Sequence, residues 1–196
     1  MTKLTLVLGD ISYQRADALV NAANSGLLGG SGVDGALHAR AGQALTNACS
    51  ELRESKYGRG VATGQSVATT AGHLQARWVI HTVGPHWVRY DDRSSLLASC
   101  YRTSLEVAAE LGARTIALPA VSAGTHRWPL DDAARIAVRT VRETLAAWET
   151  TETTGASERR AGEGIAGRRP FEEVRFVLFE QRVYRAFETA LAIPYG

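Results

Sequence analysis

Residues 21–38 read NAANSGLLGGSGVDGALH. Within them Gly30-Ser31-Gly32-Val33-Asp34-Gly35 satisfies the pattern G-x-G-x-x-G, which turns a strand into a helix around a diphosphate in dinucleotide-binding folds. Asp34 is the anomaly, a carboxylate among amides whose usual task is to receive an anion. The spacing is also wrong for that fold, where the glycines directly follow the first strand and an acid ends the next strand about twenty positions on. Here NSGLLGG intervenes, and the acids downstream, Glu51 and Glu54, fall on or beside a helical segment. No Lys-Ser or Lys-Thr follows the glycines, which removes the nucleoside-triphosphate loop. Five glycines and two asparagines between residues 21 and 35 nevertheless exceed what a turn needs, and they suit close approach of backbone to a ligand.

Working outward, short apolar runs bounded by turn residues predict strands at 4–8 and 16–23 before this loop. Leu37, Ala41, Leu45, Ala48 and Leu52 recur at helical spacing and predict one helix over 35–53. Strands are predicted at SVATTAG and ARWVIHTVG, the latter stopped by Gly84-Pro85. A helix over 96–111 stops at Gly112, and RTIALPAV reads as a buried strand. Asp131 and Asp132 open a helix predicted to end at Trp148. Residues 149–170, rich in Gly, Thr, Ser and Arg, read as a surface insertion, flexible over about 150–170. A strand in EEVRFVLF and a helix over 181–191 close the chain. Strands alternating with helices give the α/β class with a parallel or mixed central sheet.

At 196 residues the chain reads as a single domain, 45% apolar and 21% charged. Residues 157–170 hold four arginines and two glutamates, and removing them from the 22 basic and 20 acidic residues leaves 18 of each. No clustered basic surface is implied, so a nucleic acid is not an expected partner except as a modified substrate. Cys49 and Cys100 lie far apart, which suggests a reducing compartment rather than a disulfide framework, and no metal ligand set. No run approaches a membrane span or a cleavable leader. A monomer in the cytoplasm, acting without a cofactor, is the expectation.

A second loop, SAGTHRWPL, follows the buried strand at 114–121 and precedes a helix, the usual place for ligand loops at strand carboxyl ends. Ser122, Ala123 and Gly124 are small enough to offer successive amides to anionic oxygens. Two such loops could grip a diphosphate from both sides.

These stretches together resemble the macrodomain family, in particular its MacroD-type branch. The blocks that carry the resemblance are GDISYQRADALVNAANSGLLGGSGVDGALHARAG, WVIHTVGP, ALPAVSAGTHRWP and VRFVLF, spanning about Leu4 to Leu191 without the insertion. The resemblance implies a three-layer α/β/α sandwich. Its expected ligands are ADP-ribose, O-acetyl-ADP-ribose or mono-ADP-ribosylated proteins, with hydrolysis of esters at the distal ribose. On the matching positions, Asp10 would accept from the adenine amino group beside the Ile11 backbone, and Phe179 would flank the adenine. Asn24 would hold the distal ribose, and Gly32 and Val33 would give amides to the phosphates. Asp34 would be catalytic together with Asn24, and Ser122, Ala123, Gly124, Thr125 and His126 would form the second phosphate loop. Ala123, His126 and Arg127 depart from the usual hydroxyl, aromatic and glycine of that loop.

Read without the resemblance, Asp10 is a turn residue and Phe179 a core aromatic. Asn21 reads as a structural residue serving buried backbone, His38 as a packing residue, and His81 as a satisfied buried histidine. Asp34 makes sense against a diphosphate if it is aimed at a water beside the α-phosphate, where a positioned base contributes about 10²–10⁴-fold. A non-catalytic reader of ADP-ribosylated targets is the competing class. An RNA-associated regulator is disfavoured by the balanced charge.

Overall fold

The computed structural model describes residues 2–154 and 171–194. Six strands form one sheet: β1 (Lys3–Leu8), β2 (Ala18–Ala23), β3 (Ser66–Thr70), β4 (Trp78–Val83), β5 (Thr115–Leu118) and β6 (Glu173–Leu178). Their spatial order is β1-β6-β5-β2-β4-β3. All neighbours run parallel except β3, which pairs antiparallel with β4 at the edge. The sheet is therefore mixed. A short 3₁₀ turn, Ile11–Tyr13, follows β1.

Five helices cover the two faces among the described residues: α1 (Gly32–Ala41), α2 (Gln43–Ser55), α3 (Ser94–Glu110), α4 (Leu130–Thr154) and α5 (Gln181–Ala192). Leu37 of α1 and Leu45 of α2 pack with Leu19, Val79 and Val83 on one face. On the other, α3, α4 and α5 bury Tyr101, Val141 and Phe187 against Val20, Ile80, Ile116 and Phe176. The α/β/α sandwich predicted above is the fold. Because helices cover both faces, the central strands read as almost continuous apolar runs. Among the described residues no helix is long and apolar enough to cross a membrane.

Two predicted boundaries are corrected. The helix expected over 35–53 is two helices, because Gly42 takes φ +77, a left-handed value that ends α1. A side chain there would also stand 3.1 Å from His73 Nδ1. The apolar spacing carries through the break because Ala41 and Leu45 still face the same sheet. The helix expected to end at Trp148 continues to Thr154. Most of the insertion expected at 150–170 lies outside the described residues.

Candidate functional site

The carboxyl ends of all five parallel strands open onto one cavity of about 390 Å³. That volume lies in the range of small-molecule sites, and the position is the one where open α/β sheets bind ligands. Gly9, Asp10 and Ile11 line it after β1, Ala22 and Ala23 at the end of β2, and Gly84 after β4. The β5 loop contributes residues 119–126, β6 ends in Leu178 and Phe179, and Ser31, Gly32 and Val33 stand at the start of α1.

Phe179 is 76% exposed although it immediately follows a buried strand, so it stands on the cavity wall rather than in the core. Asp10 is both turn residue and wall residue: its Oδ1 accepts from Ser12 N at 2.8 Å, capping the 3₁₀ turn at the same end of the cavity. Ile11 is buried behind it.

On the opposite side, the first amides of α1 have no intrahelical acceptor, and Ser31 at the N-cap makes no side-chain cap. Gly32 and Val33 line the cavity at the positive end of this helix, and their N–H groups meet no acceptor among the described residues. The second loop is anchored from below. Tyr101 Oη, fully buried on α3, accepts from Val121 N at 2.9 Å and donates to Pro119 O at 3.3 Å. Ser122 holds φ +63 and spends its hydroxyl on Pro85 O at 2.7 Å, tying the loop to the segment after β4. Ala123 N bonds back to Ala120 O at 3.3 Å. The amides of Gly124, Thr125 and His126 make no hydrogen bond among the described residues, so they are the donors this loop presents.

His126 lines the cavity and its ring lies 3.8 Å from that of His86, tilted by 30°. Burial, then the neighbouring His86, holds its pKa below the ordinary histidine value, although the Pro85 and Gly84 carbonyls pull the other way. Arg127 beside it is exposed at φ +57, a strained value for a residue with a side chain.

Asp34 and Asn24 do not belong to the cavity wall; they flank its end. Asn24 is exposed and ties its own loop, with Nδ2 donating to Gly29 O at 2.9 Å and Oδ1 accepting from Leu28 N at 3.0 Å. Asp34, in the first turn of α1, is only 5% exposed. Its Oδ1 accepts from Asn21 Nδ2 at 2.7 Å and lies 3.5 Å from His38 Nε2. Its Oδ2 faces Gly30: a Cβ on that glycine would stand 3.3 Å from Oδ2 and 3.9 Å from Asn24 Nδ2. The missing side chain of Gly30 therefore leaves open the gap between carboxylate and amide.

Two polar residues read from sequence as background, Asn21 and His38, thus adjoin the carboxylate, and a third, His81, stands behind Asn21. Asn21 serves a side chain, not buried backbone. His38 is one helical turn from Asp34 on the same face, a spacing that could have flagged it. His81 touches Asn21, at 3.1 Å between Nδ1 and Nδ2. Both Asn21 and His81 interrupt strands whose alternate positions are otherwise apolar, and that interruption was the available signal.

Fold and cleft together define a three-layer α/β protein that offers backbone amides to an anion at the carboxyl ends of its parallel strands. The sequence model of the Macro domain matches residues 20–137. A Macro domain-containing protein of Streptomyces nogalater is 57% identical over 191 residues, covering 97% of this chain and 93% of its own. One from Streptomyces coelicolor is 56% identical, covering 97% and 99%. Among solved structures, the Oceanobacillus iheyensis macrodomain with ADP superposes with a TM-score of 0.79 at 34% identity, covering 95% of this chain and 88% of that one. The Trypanosoma brucei macrodomain in complex with ADP-ribose gives 0.75 at 33% identity, covering 96% and 69%. The chain belongs to the Macro domain family.

Proposed function

We propose that the protein binds ADP-ribose in the cleft and hydrolyses esters at its distal ribose, releasing ADP-ribose from acidic side chains of modified proteins or acetate from O-acetyl-ADP-ribose. The similarity to macrodomains solved with ADP and with ADP-ribose supports the ligand. In this reading Phe179 and Asp10 take the adenine. The amides of Gly32, Val33, Gly124, Thr125 and His126 take the diphosphate, donating without supplying a competing charge. The distal ribose ends at Asn24, and the gap beside Gly30, between Asn24 and Asp34, is left for the attacking water.

The observation that carries the hydrolytic reading is the buried carboxylate of Asp34 at the end of a diphosphate-sized cleft, one oxygen held by Asn21 and the other turned to the open side of Gly30. Anion binding alone gains nothing from a negative charge in that position, whereas ester cleavage needs an acceptor for a proton of the attacking water. One water is consumed, the acyl–oxygen bond breaks, and the ribose hydroxyl and a carboxylic acid are formed. The proton goes to Asp34 or to the ligand's own α-phosphate. Asn24 holds the ribose so that the reacting centre lies beside that water.

The second reading is a non-catalytic reader of ADP-ribosylated proteins, favoured because Asp34 is not among the residues that line the cavity. Asp34→Ala separates the two. The variant is expected to retain ADP-ribose binding by calorimetry and to release little ADP-ribose from a glutamate-modified protein. Equal release by variant and parent removes Asp34 from the reaction, and no release by the parent from any defined linkage leaves the reader.

A further inference from the structure

We infer that His81, which touches neither the cavity nor Asp34, is a positioning residue for Asp34, acting through the side-chain amide of Asn21. The inference rests on the reading of Asp34 as the group that serves the attacking water.

The register of the sheet makes the arrangement. Asn21 on β2 and His81 on β4 are direct partners, so their side chains stand side by side on the face covered by α1 and α2. Thr69 on β3 is opposite Val79, which puts it diagonal to His81 on the same face. A polar rung thus crosses an otherwise apolar layer. Thr69 Oγ1 lies 2.8 Å from His81 Nε2, His81 Nδ1 lies 3.1 Å from Asn21 Nδ2, and Asn21 Nδ2 lies 2.7 Å from Asp34 Oδ1. Asn21, His81 and Thr69 are all buried.

An inventory of protons fixes the roles. A carboxylate only accepts, so Asn21 turns its NH₂ toward Asp34 and not its carbonyl. The second hydrogen on that same nitrogen points at His81 Nδ1, which must then be the bare nitrogen of a neutral ring. The ring proton falls on Nε2 and is donated to Thr69 Oγ1. Burial, with a smaller contribution from His38, lowers the pKa of His81 to about 3, so the ring keeps this neutral form at physiological pH. One bond to Asp34 alone would let the amide swing about its last torsion; a second from the same nitrogen fixes its plane. Asn21 Oδ1 contributes nothing to this, having no partner among the described residues.

The other groups near the rung do not replace His81. His38 of α1 approaches Asp34 Oδ1 at 3.5 Å but does not reach Asn21. Cys49 of α2, 3.7 Å from His81 Nε2, has its thiol pushed up to about 11 by burial and the charge of Asp34, against a smaller lowering by Arg53, and stays neutral. For stability alone, apolar side chains would fill these buried positions as well, because replacing buried charged or polar partners by well-packed apolar groups is often neutral or stabilising. A network that ends on one carboxylate oxygen has a use there: it sets the direction of the other.

The test uses the intact chain with His81→Leu, His81→Asn and Asp34→Ala in parallel, reading kcat on a glutamate-linked substrate and Kd for ADP-ribose. His81→Leu is expected to lower kcat by about tenfold to a hundredfold while Kd moves by less than about threefold, the signature of a misdirected group rather than a damaged pocket. His81→Asn keeps an acceptor near the position of Nδ1 and should recover most of the loss. Nitrogen-15 spectra of the unaltered protein should show Nδ1 bare and Nε2 protonated, and this readout does not depend on whether a variant folds. A protonated Nδ1, parental kcat in His81→Leu, or no difference between Leu and Asn overturns the positioning role. Turnover surviving in Asp34→Ala defeats the reading of Asp34 itself, whereas turnover lost there but retained in His81→Leu defeats only the inference.

Discussion

Two glycines, Gly30 before α1 and Gly35 within it, probe chemistry and binding with one methyl group each. In Gly30→Ala the new Cβ stands 3.3 Å from Asp34 Oδ2 and 3.9 Å from Asn24 Nδ2. Gly30 lies outside the left-handed region, so alanine fits the backbone, and a shift of a few tenths of an ångström relieves the closer contact. The methyl fills the gap through which water would reach Asp34 and leaves the amides of Gly32 and Val33 where they are. Losing the service of a general base lowers kcat by about a hundredfold or more. The Kd for ADP-ribose should change by less than about threefold, because each lost decade would require about 1.4 kcal/mol of lost contact.

Gly35→Ala reaches binding as well, because it moves the loop itself. Its Cβ would fall 2.5 Å from Gly30 O, a backbone atom that cannot rotate away. Ordinary contact at about 3.4 Å therefore demands a loop displacement of roughly 0.9 Å, enough to break one charge-assisted amide bond to the diphosphate, worth about 1.5–3 kcal/mol. That corresponds to a Kd roughly tenfold to a hundredfold weaker. Calorimetry with ADP-ribose and single-turnover release from a glutamate-modified protein supply both numbers for both variants. If Gly30→Ala hydrolyses at the parental rate, the open side of Gly30 is not the approach to Asp34. If Gly35→Ala binds ADP-ribose as the parent does, the amides at the start of α1 are not the phosphate donors.

Three further outcomes follow from the same geometry. The folded-state pKa of His81, near 3, lies below its ordinary 6.5, so the unfolded chain takes up a proton that the folded chain refuses. That share of stability is present above pH 6.5 and falls by about 1.4 kcal/mol per pH unit as the solution is acidified, or about 2 kcal/mol by pH 5. Urea unfolding at pH 7 and pH 5 should show this loss in the parent and a smaller one in His81→Asn; equal losses refute it. His126, which lines the cavity, is proposed to cover the distal ribose with its ring, so His126→Tyr should alter kcat more than Kd, and equal changes in both sink that role. Burial pushes the thiols of Cys49 and Cys100 up to about 11, so the native protein should resist a thiol reagent at pH 8 and react fully once unfolded; fast labelling of the native state would contradict their burial.

Much of the fold was legible because its central strands are buried on both faces and its helices are not. WVIHTVG and RTIALPAV are apolar runs that a covered sheet accommodates, and the amphipathic spacing between the strands reads as helix. The break at Gly42 was invisible because glycine is also tolerated inside helices, and His73, whose N–H donates to Ala41 O at 3.0 Å and whose ring stands 3.1 Å from where a Cβ of Gly42 would be, is distant in sequence. Strand order was equally hidden: nothing local says that β6, last in sequence, lies between β1 and β5. At the site, the glycine loop and Asp34 announced themselves by composition and by an out-of-place charge. Asn21, His38 and His81 did not, since each has an ordinary role in isolation and acquires another only when register aligns β2 with β4 and α1 lies across them.

The carboxylate in the glycine loop then has a physical resolution. A helix N-terminus carries roughly half a positive charge, enough to favour one nearby anion by about 0.3–1 kcal/mol at a surface and up to about 2 when partly buried. Here two anions would compete for it, the diphosphate in the cleft and Asp34 in the first turn. They need not share donors. Gly32 and Val33 at the start of α1 line the cleft, while Asp34 takes its short hydrogen bond from Asn21, a residue of the sheet whose amide is steadied by His81. The helix can thus serve the ligand because the sheet serves the aspartate, and removing the sheet's contribution makes the two anions rivals. A consequence specific to this division is that Asn21→Leu should weaken ADP-ribose binding as well as turnover. The unserved carboxylate would then draw on the helix end, whereas His81→Leu, which leaves the Asn21 donor present but loosely aimed, should spare binding.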